Sequence, residues 1–421
     1  MTGPDRQPPV LAVDGLSVRF RMRAGRYVAA VTDATFALRP GECLALVGES
    51  GCGKSVLASA LLGLLPGNAE TAGTAHLAGP TDAEPVELLG ADERLLSRTV
   101  RGRRVGLVPQ SPSAHLTPVR TIRAQLEETV RELTGTRRPK LRAAAQAAAE
   151  RAAFPADHLD RYPHQLSGGL AQRAATALAL VGDAALLLAD EPTTGLDRDL
   201  VERTVDELRR HISPTPTPAP ASTLAHRAPD EPDPRPAPDT GTPQDAAPIG
   251  ASAGQSPTAA PPPRTSDDDA PRARALLMIT HDLLAAERVA DRVAVMYAGR
   301  IVEIADARAF FGAPGPRHPY ARRLLDALPE RSFTPIPGMP PELGDLPAGC
   351  AFAPRCDQAT ERCAALPALR DDVACHHAPP RAPAQTGPTA HPPAQPEPGR
   401  TPPTPAAPQA PGPRTDEAHH A

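Results

Sequence analysis

An apolar run, Leu44-Ala45-Leu46-Val47, leads directly into Gly48-Glu49-Ser50-Gly51-Cys52-Gly53-Lys54-Ser55, and an apolar helical stretch from Val56 to Leu62 follows at once. No other feature restricts the fold as strongly, because a buried strand, a glycine turn and a helix start must succeed one another in this order. Glycines at 48, 51 and 53 let successive backbone N–H groups point inward around a polyphosphate, and the helix N-terminus adds partial positive charge. Lys54 is the side chain to reach β/γ-phosphates, and Ser55 the hydroxyl for Mg²⁺. The pattern specifies a nucleoside triphosphate site on an α/β sheet and leaves the reaction open.

Three further apolar runs deliver polar residues at their ends. Arg104-Val105-Gly106-Leu107-Val108-Pro109-Gln110 reads as a short buried strand, which puts Gln110 at the carboxyl edge where open α/β sheets bind ligands. Alone, a solvated loop amide explains Gln110 as well. Ala184 to Ala189 reads as a fully buried strand ending in Asp190-Glu191 and then Pro192-Thr193-Thr194-Gly195-Leu196-Asp197. Asp190 is suited to the Mg²⁺ shell, and Glu191, turned the other way, to polarising a water for in-line attack on a γ-phosphate. Leu276 to Thr280 is the next such strand; His281 at its end can bond the γ-phosphate and keep the carboxylate in register. Leu166-Ser167-Gly168-Gly169, ahead of the apolar helix expected from Ala171 to Val181, offers a second set of free N–H donors, although a plain helix cap reads the same in isolation.

Taken together, the loop from Gly48 to Ser55, Gln110, Leu166 to Gly169, Asp190-Glu191, Leu196-Asp197 and His281 resemble the ATP-binding cassette (ABC) ATPases. The resemblance implies a P-loop NTPase (RecA-like) α/β fold with a helical subdomain, with ATP and Mg²⁺ as ligands. In that family two such domains sandwich two nucleotides, each held between the phosphate loop of one copy and the Ser-Gly-Gly signature of the other. Ser167, Gly168 and Gly169, with Leu166 and Gln172 beside them, would then contact a partner's nucleotide, and Asp197 would line the seam. Glu191, His281 and Gln110 would be the catalytic set, and Ser55, Gln110 and Asp190 the Mg²⁺ set.

The stretch from His318-Pro319-Tyr320 through Pro335-Ile336-Pro337-Gly338 to Gly349-Cys350-Ala351-Phe352-Ala353-Pro354-Arg355-Cys356 is similar to the C-terminal extension of dipeptide, oligopeptide and nickel importer ATPases. That similarity implies an ATP-hydrolysing subunit that energises peptide uptake, with nickel or another small solute as the alternative cargo. It also implies a second, paralogous ATPase, two permease subunits, an extracellular solute-binding protein and a place on the cytoplasmic face of the plasma membrane. Members of the subfamily can carry a [4Fe–4S] cluster here. Cys350, Cys356, Cys363 and Cys375, with 5, 6 and 11 residues between them, suit soft-metal ligation by iron–sulfur or zinc, with plain thiols as the alternative. Where the family has Asp-Pro and Leu-Asn-Pro after the strand-end glutamine, this chain has Ser111-Pro112 and Leu116-Thr117-Pro118, in a loop that the resemblance turns toward the membrane partner. The family stacks an aromatic on adenine upstream of the phosphate loop; Tyr27 and Phe20 are the candidates, but neither stands at the family's offset, and the adenine contact is left unassigned.

Composition sets the domain limits. Aromatic residues make up only 3% of the 421 residues while 55 are proline, so part of the chain cannot pack into a core. Residues 213–273 hold 16 prolines, and residues 378–421 hold 14, with scarcely any large apolar side chain; both are expected to be disordered. The cassette is therefore expected over 8–212 and 274–305, with the extension over 306–377. Lengthening a helix-to-strand connection about twelvefold costs only about 2 kcal/mol of closure entropy, so the cassette should tolerate the insertion. A net charge of −4 with interspersed signs argues against a nucleic-acid partner. No apolar run reaches bilayer length and residues 1–9 lack a signal-peptide layout, which predicts a cytoplasmic chain. A non-transport ABC ATPase would carry coiled-coil arms or paired cassettes; one cassette and no heptads are present.

Overall fold

The computed structural model describes residues 8–79, 84–182, 184–213 and 274–380. The segments expected to be disordered, apart from Ser213 and residues 378–380, lie outside the described residues. In chain order the strands are β1 (Leu11–Arg21), β2 (Tyr27–Leu38), β3 (Cys43–Val47), β4 (Ala69–Leu77), β5 (Val86–Glu87), β6 (Val105–Val108), β7 (Leu186–Asp190), β8 (Ala275–Thr280), β9 (Arg292–Tyr297) and β10 (Arg300–Asp306). They form a four-stranded antiparallel sheet of order β2-β1-β4-β5 and a six-stranded sheet of order β10-β9-β3-β8-β7-β6. In the larger sheet β9, β3, β8, β7 and β6 run parallel and β10 closes the edge antiparallel.

A parallel sheet covered on both faces needs apolar residues at every position, and its strands have them. Successive side chains alternate between faces. Leu44, Leu46, Leu186, Leu188, Leu277 and Ile279 enter one core with the antiparallel sheet and α1 (Lys54–Leu61). Cys43, Ala45, Val47, Leu187, Ala189, Leu276 and Met278 enter the opposite core. Between the sheets' connections lie two short helices, α2 (Glu93–Leu95) and α3 (Pro112–His115). Next come α4 (Ile122–Thr134), α5 (Arg138–Arg151) and α6 (Gly168–Ala179), which pack a third core around Ile122, Leu126, Ala145, Phe154 and Ala174. That is the expected helical subdomain.

After β7 the chain continues as α7 (Arg198–Ile212), and after β8 as α8 (Leu283–Val289). The ends that flank residues 214–273 meet: the Arg274 guanidinium donates to the His211 carbonyl at 3.0 Å, and Gly41 N–H donates to the Arg274 carbonyl. Beyond β10 come α9 (Ala307–Phe311), α10 (Pro319–Asp326) and an irregular segment. This C-terminal stretch does not build a core of its own. Phe310, Phe311, Tyr320 and Phe352 join the core that holds β3, β7, β8 and β9, and residues 372–374 return to β10 through backbone bonds from Ile304 to Asp372 and from Ala374 to Val302. So short and loop-rich a segment cannot bury enough apolar surface alone.

Candidate functional site

The loop between β3 and α1 wraps the carboxyl edge of β3. Ser50 and Gly51 stand at its exposed rim, while Gly48, Cys52, Gly53 and Lys54 are buried. Two glycines are required by close approach: a Cβ on Gly48 would collide with the Met296 carbonyl oxygen, and one on Gly53, at φ 106°, with the Ala30 carbonyl oxygen. β9 and β2 thus press the loop from behind. The first N–H groups of α1 have no intrahelical acceptor and no side-chain cap, as an anion-binding helix start requires. Lys54 is 6% exposed, and its Nζ donates to the carbonyls of Gly48 at 2.7 Å and Glu49 at 3.1 Å, which centres the ammonium in the loop.

Ser55, one residue into α1, donates its hydroxyl to Asp190 Oδ1 at 3.1 Å. Asp190 is the last residue of β7, and burial followed by the neighbouring Glu191 charge pushes its carboxyl up, against the Ser55 hydrogen bond that pulls it down. A hydroxyl and a carboxylate side by side are hard oxygen donors of the kind Mg²⁺ takes. The residues present therefore fit a divalent cation.

Glu191 follows with φ 51°, a left-handed conformation unusual for a side-chain-bearing residue, and its N–H donates to the Ile279 carbonyl on β8. That twist sends the Glu191 carboxylate away from Asp190 and toward His281. Glu191 Oε2 accepts from His281 Nδ1 at 2.6 Å, which puts a ring proton on Nδ1. The Glu191 side chain is 8% exposed and that of His281 59%. Asp282, next in the chain, caps α8 by accepting from Leu284 and Ala285 N–H groups, so His281 sits between a strand end and a fixed helix start. Gln110 lies exposed just past β6, as expected from its place at a strand end. A carboxylate held by an imidazole beside a phosphate-type loop can orient or deprotonate a water.

Ser167 is the N-cap of α6, its hydroxyl accepting from Leu170 N–H at 3.3 Å, and the helix opens at Gly168, three residues earlier than the apolar pattern suggests. Ser167 and Gly168 are exposed, and Leu166 and Gly169 partly so. Among the described residues, no hydrogen bond joins Ser167, Gly168 or Gly169 to the loop of residues 48–55. Gly169 packs near Leu196, which brings this helix start beside Asp197, an exposed residue that caps α7 by accepting from Leu200 N–H. Gln172 differs from its expected outward role. It is 1% exposed and donates to the Pro109 carbonyl, because it lies on the face of α6 that it shares with Thr176, four residues on and also buried.

The aromatics proposed for base stacking divide: Phe20 packs inward against the core, whereas Tyr27 is exposed with the Arg19 guanidinium 4.8 Å from its ring centroid. The metal expected at the four C-terminal cysteines finds no support. Among the described residues no group of three or more His, Cys, Asp or Glu side chains is arranged to hold a metal ion. Burial pushes the Cys350 and Cys356 thiols up, and the nearby Cys363 and Cys375, with Asp357 beside Cys356, add to it.

Two residues that pattern reading missed touch the phosphate loop. Tyr320 accepts at its hydroxyl from Glu49 N–H at 2.9 Å, and Arg355 grips the Glu49 carboxylate through both terminal nitrogens at 2.8 and 3.0 Å. Both stand in the stretches His318-Pro319-Tyr320 and Gly349 to Cys356 that carry the similarity to the importer extension, a similarity that attaches no role to either side chain.

The ABC transporter family model matches residues 31–194, and the model of the oligopeptide/dipeptide transporter C-terminal region matches residues 302–363. A peptide import ATP-binding protein of Brucella melitensis is 35% identical over 385 residues, covering 88% of this chain and 95% of that protein. The oligopeptide transport ATP-binding protein OppD of Haemophilus influenzae is 33% identical over 371 residues, covering 86% of this chain and 93% of OppD. Among solved structures, the dimeric ATP-binding cassette MJ0796 in a post-hydrolysis state with ADP and Pi aligns with a TM-score of 0.51 at 18% identity, covering 71% of this chain and 99% of that one. That likeness concerns the fold. With the loop, the strand-end acids and the C-terminal region all in place, the chain belongs to the ABC transporter ATPases, in the branch that carries the oligopeptide/dipeptide transporter C-terminal region.

Proposed function

We propose that this chain hydrolyses ATP at the β3–α1 loop to energise uptake of peptides through a membrane permease. The observation that carries the chemistry is the pair of contacts flanking that loop, Ser55 to Asp190 at 3.1 Å and Glu191 to His281 at 2.6 Å. The loop amides and Lys54 bind the β- and γ-phosphates and stabilise charge that spreads over the transferring group. Ser55, Asp190 and Gln110 would hold Mg²⁺, which when bound neutralises phosphate charge. Glu191 polarises the attacking water, with its position kept by His281. The proton of that water passes to the Glu191 carboxylate, and the γ-phosphoryl group leaves ADP as inorganic phosphate.

Ser167 and Gly168 are exposed and, with the partly exposed Gly169, would grip the nucleotide of a second ATPase, with Asp197 beside the seam. The cassette is assigned to 8–212 and 274–305 and the extension to 306–377. No helix among the described residues is long and apolar enough to cross a membrane. In this reading the work is delivered to two separate permease subunits at the cytoplasmic face. A paralogous ATPase and an extracellular binding protein complete the assembly. The peptide cargo follows the printed names of the Brucella and Haemophilus relatives. Nothing in this reading needs a metal at the cysteines.

The test is reconstitution of the full chain with its cognate permease, paralogous ATPase and binding protein in proteoliposomes. Peptide-loaded binding protein should raise ATP turnover several-fold, and Lys54→Ala in this chain should remove most of that rise. Stimulation by a nickel-loaded binding protein and not by a peptide-loaded one would overturn the cargo assignment. Full turnover with Lys54→Ala would overturn the ATPase assignment of this site.

A further inference from the structure

Glu49, the second residue of the phosphate loop, is held from outside the cassette at two of its polar groups. Its N–H donates to the Tyr320 hydroxyl at 2.9 Å, and its carboxylate takes a forked pair of bonds from Arg355. Its third polar group, the carbonyl, accepts from Lys54 Nζ at 3.1 Å. The holders are themselves fixed. Tyr320 is fully buried, with its ring centroid 4.5 Å from Tyr297 and 5.4 Å from Phe352. The Arg355 side chain is 5% exposed and also donates to the Pro337 carbonyl at 2.8 Å and the Tyr297 hydroxyl at 3.2 Å. In a chain with only 4 Tyr, 7 Phe and no Trp, three of these eleven rings are gathered behind one loop residue.

We propose that Tyr320 and Arg355, both in the C-terminal extension, are positioning residues for the phosphate loop, so that ATP affinity depends on docking of residues 306–377. Two physical effects are involved. Tyr320 fixes the backbone of residue 49, and through the Glu49 carbonyl this sets where the Lys54 ammonium sits. Arg355 neutralises a carboxylate that stands in the very loop meant for a polyanion; left bare, that carboxylate, whose side chain is 24% exposed and so only partly screened by water, repels the triphosphate. The inference rests on the ATP reading of the loop given above.

The test uses the full chain and equilibrium titration with ATP and Mg²⁺ at fixed ionic strength, together with steady-state hydrolysis. Arg355→Gln should weaken ATP binding about tenfold and raise KM alike, with kcat at saturating ATP changed less than about twofold. Tyr320→Phe, which removes one hydroxyl and keeps the ring packing, should weaken binding about three- to fivefold. Adding Glu49→Gln to Arg355→Gln should recover affinity toward wild type, because a neutral side chain no longer repels phosphate; a merely structural role for Arg355 predicts no recovery. Wild-type affinity in both Arg355→Gln and Tyr320→Phe, or a double variant as weak as Arg355→Gln, overturns the proposal. Should Arg355→Gln fail to fold, Tyr320→Phe decides alone. The Lys54→Ala variant separates the two levels: ATP binding indifferent to it defeats the ATP reading, whereas loss there with no effect at Tyr320 or Arg355 defeats only this inference.

Discussion

Replacing Glu191 by Gln changes one atom and little shape, which makes it the sharpest probe of how the site works. The left-handed backbone at φ 51° is kept, since Gln meets the same steric limits as Glu. The bond to His281 is kept in form as well, because the amide oxygen can still accept from Nδ1 where Oε2 now does at 2.6 Å. What disappears is the negative charge and the capacity to take a proton. Loss of a positioned base typically costs about 10²- to 10⁴-fold in rate, or about 3 to 5 kcal/mol in the barrier. Folding stability should fall far less, by about 1 kcal/mol, since one charge-assisted hydrogen bond to a side chain that is 59% exposed becomes a neutral one. ATP affinity should stay within about threefold of wild type, because Lys54 and the loop amides make the phosphate contacts. The assay pairs phosphate release under saturating ATP with retention of labelled ATP after gel filtration in the presence of the second ATPase. Slow turnover with ATP retained is the expected pair of results. Turnover within threefold of wild type would refute the assignment of Glu191, and with it the idea that its turn away from Asp190 serves the attacking water.

Three other expectations follow from the same geometry. Gly53→Ala must accommodate a Cβ against the Ala30 carbonyl at φ 106°, so thermal denaturation should show a loss of at least about 2 kcal/mol; an unchanged midpoint would mean that the loop's backbone is not under this constraint. Deleting residues 214–271 should leave ATP turnover near wild type, because the flanking His211 and Arg274 already meet at 3.0 Å at the start of β8, roughly 20 Å along the strand from His281; a loss beyond tenfold would contradict this. Burial, reinforced by Arg322, lowers the His318 imidazole to about 4, while the unfolded chain takes up its proton near 6.5. The unfolded state therefore binds more protons between these values, and the stability His318 contributes is present above pH 6.5 and lost as pH falls toward 4, by about 3 kcal/mol at most. His318→Asn, which can still cap α10 by accepting from Tyr320 N–H, should flatten that acid limb in chemical-denaturation curves, and an unaltered limb would count against it.

Pattern reading worked wherever burial is written locally. β3, β7 and β8 are unbroken apolar runs because both faces of a parallel sheet are covered, so their ends, and with them Ser55, Asp190, Glu191 and His281, could be placed from the chain alone. It was weaker at helix starts: α6 opens at Gly168, where glycines hide the apolar period, and Gln172 lies on the buried face that the signature's glycines conceal. The four cysteines show the limit of spacing as a guide, since ligation needs thiols to converge in space, and the fold decides whether they do.

By itself the amino-acid order determined that a strand, a phosphate loop and a helix follow one another, and that acids and a histidine end the neighbouring strands. It did so because the period of two along a strand and the glycines of a turn are short-range properties. Only the tertiary structure decided that Ser55 meets Asp190 across 135 positions, and that Tyr320 and Arg355 reach Glu49 across 271 and 306. Those partnerships depend on which strands lie side by side and on how the C-terminal segment returns to the sheet. Such packing is a balance over the whole core, and no local run of residues carries it.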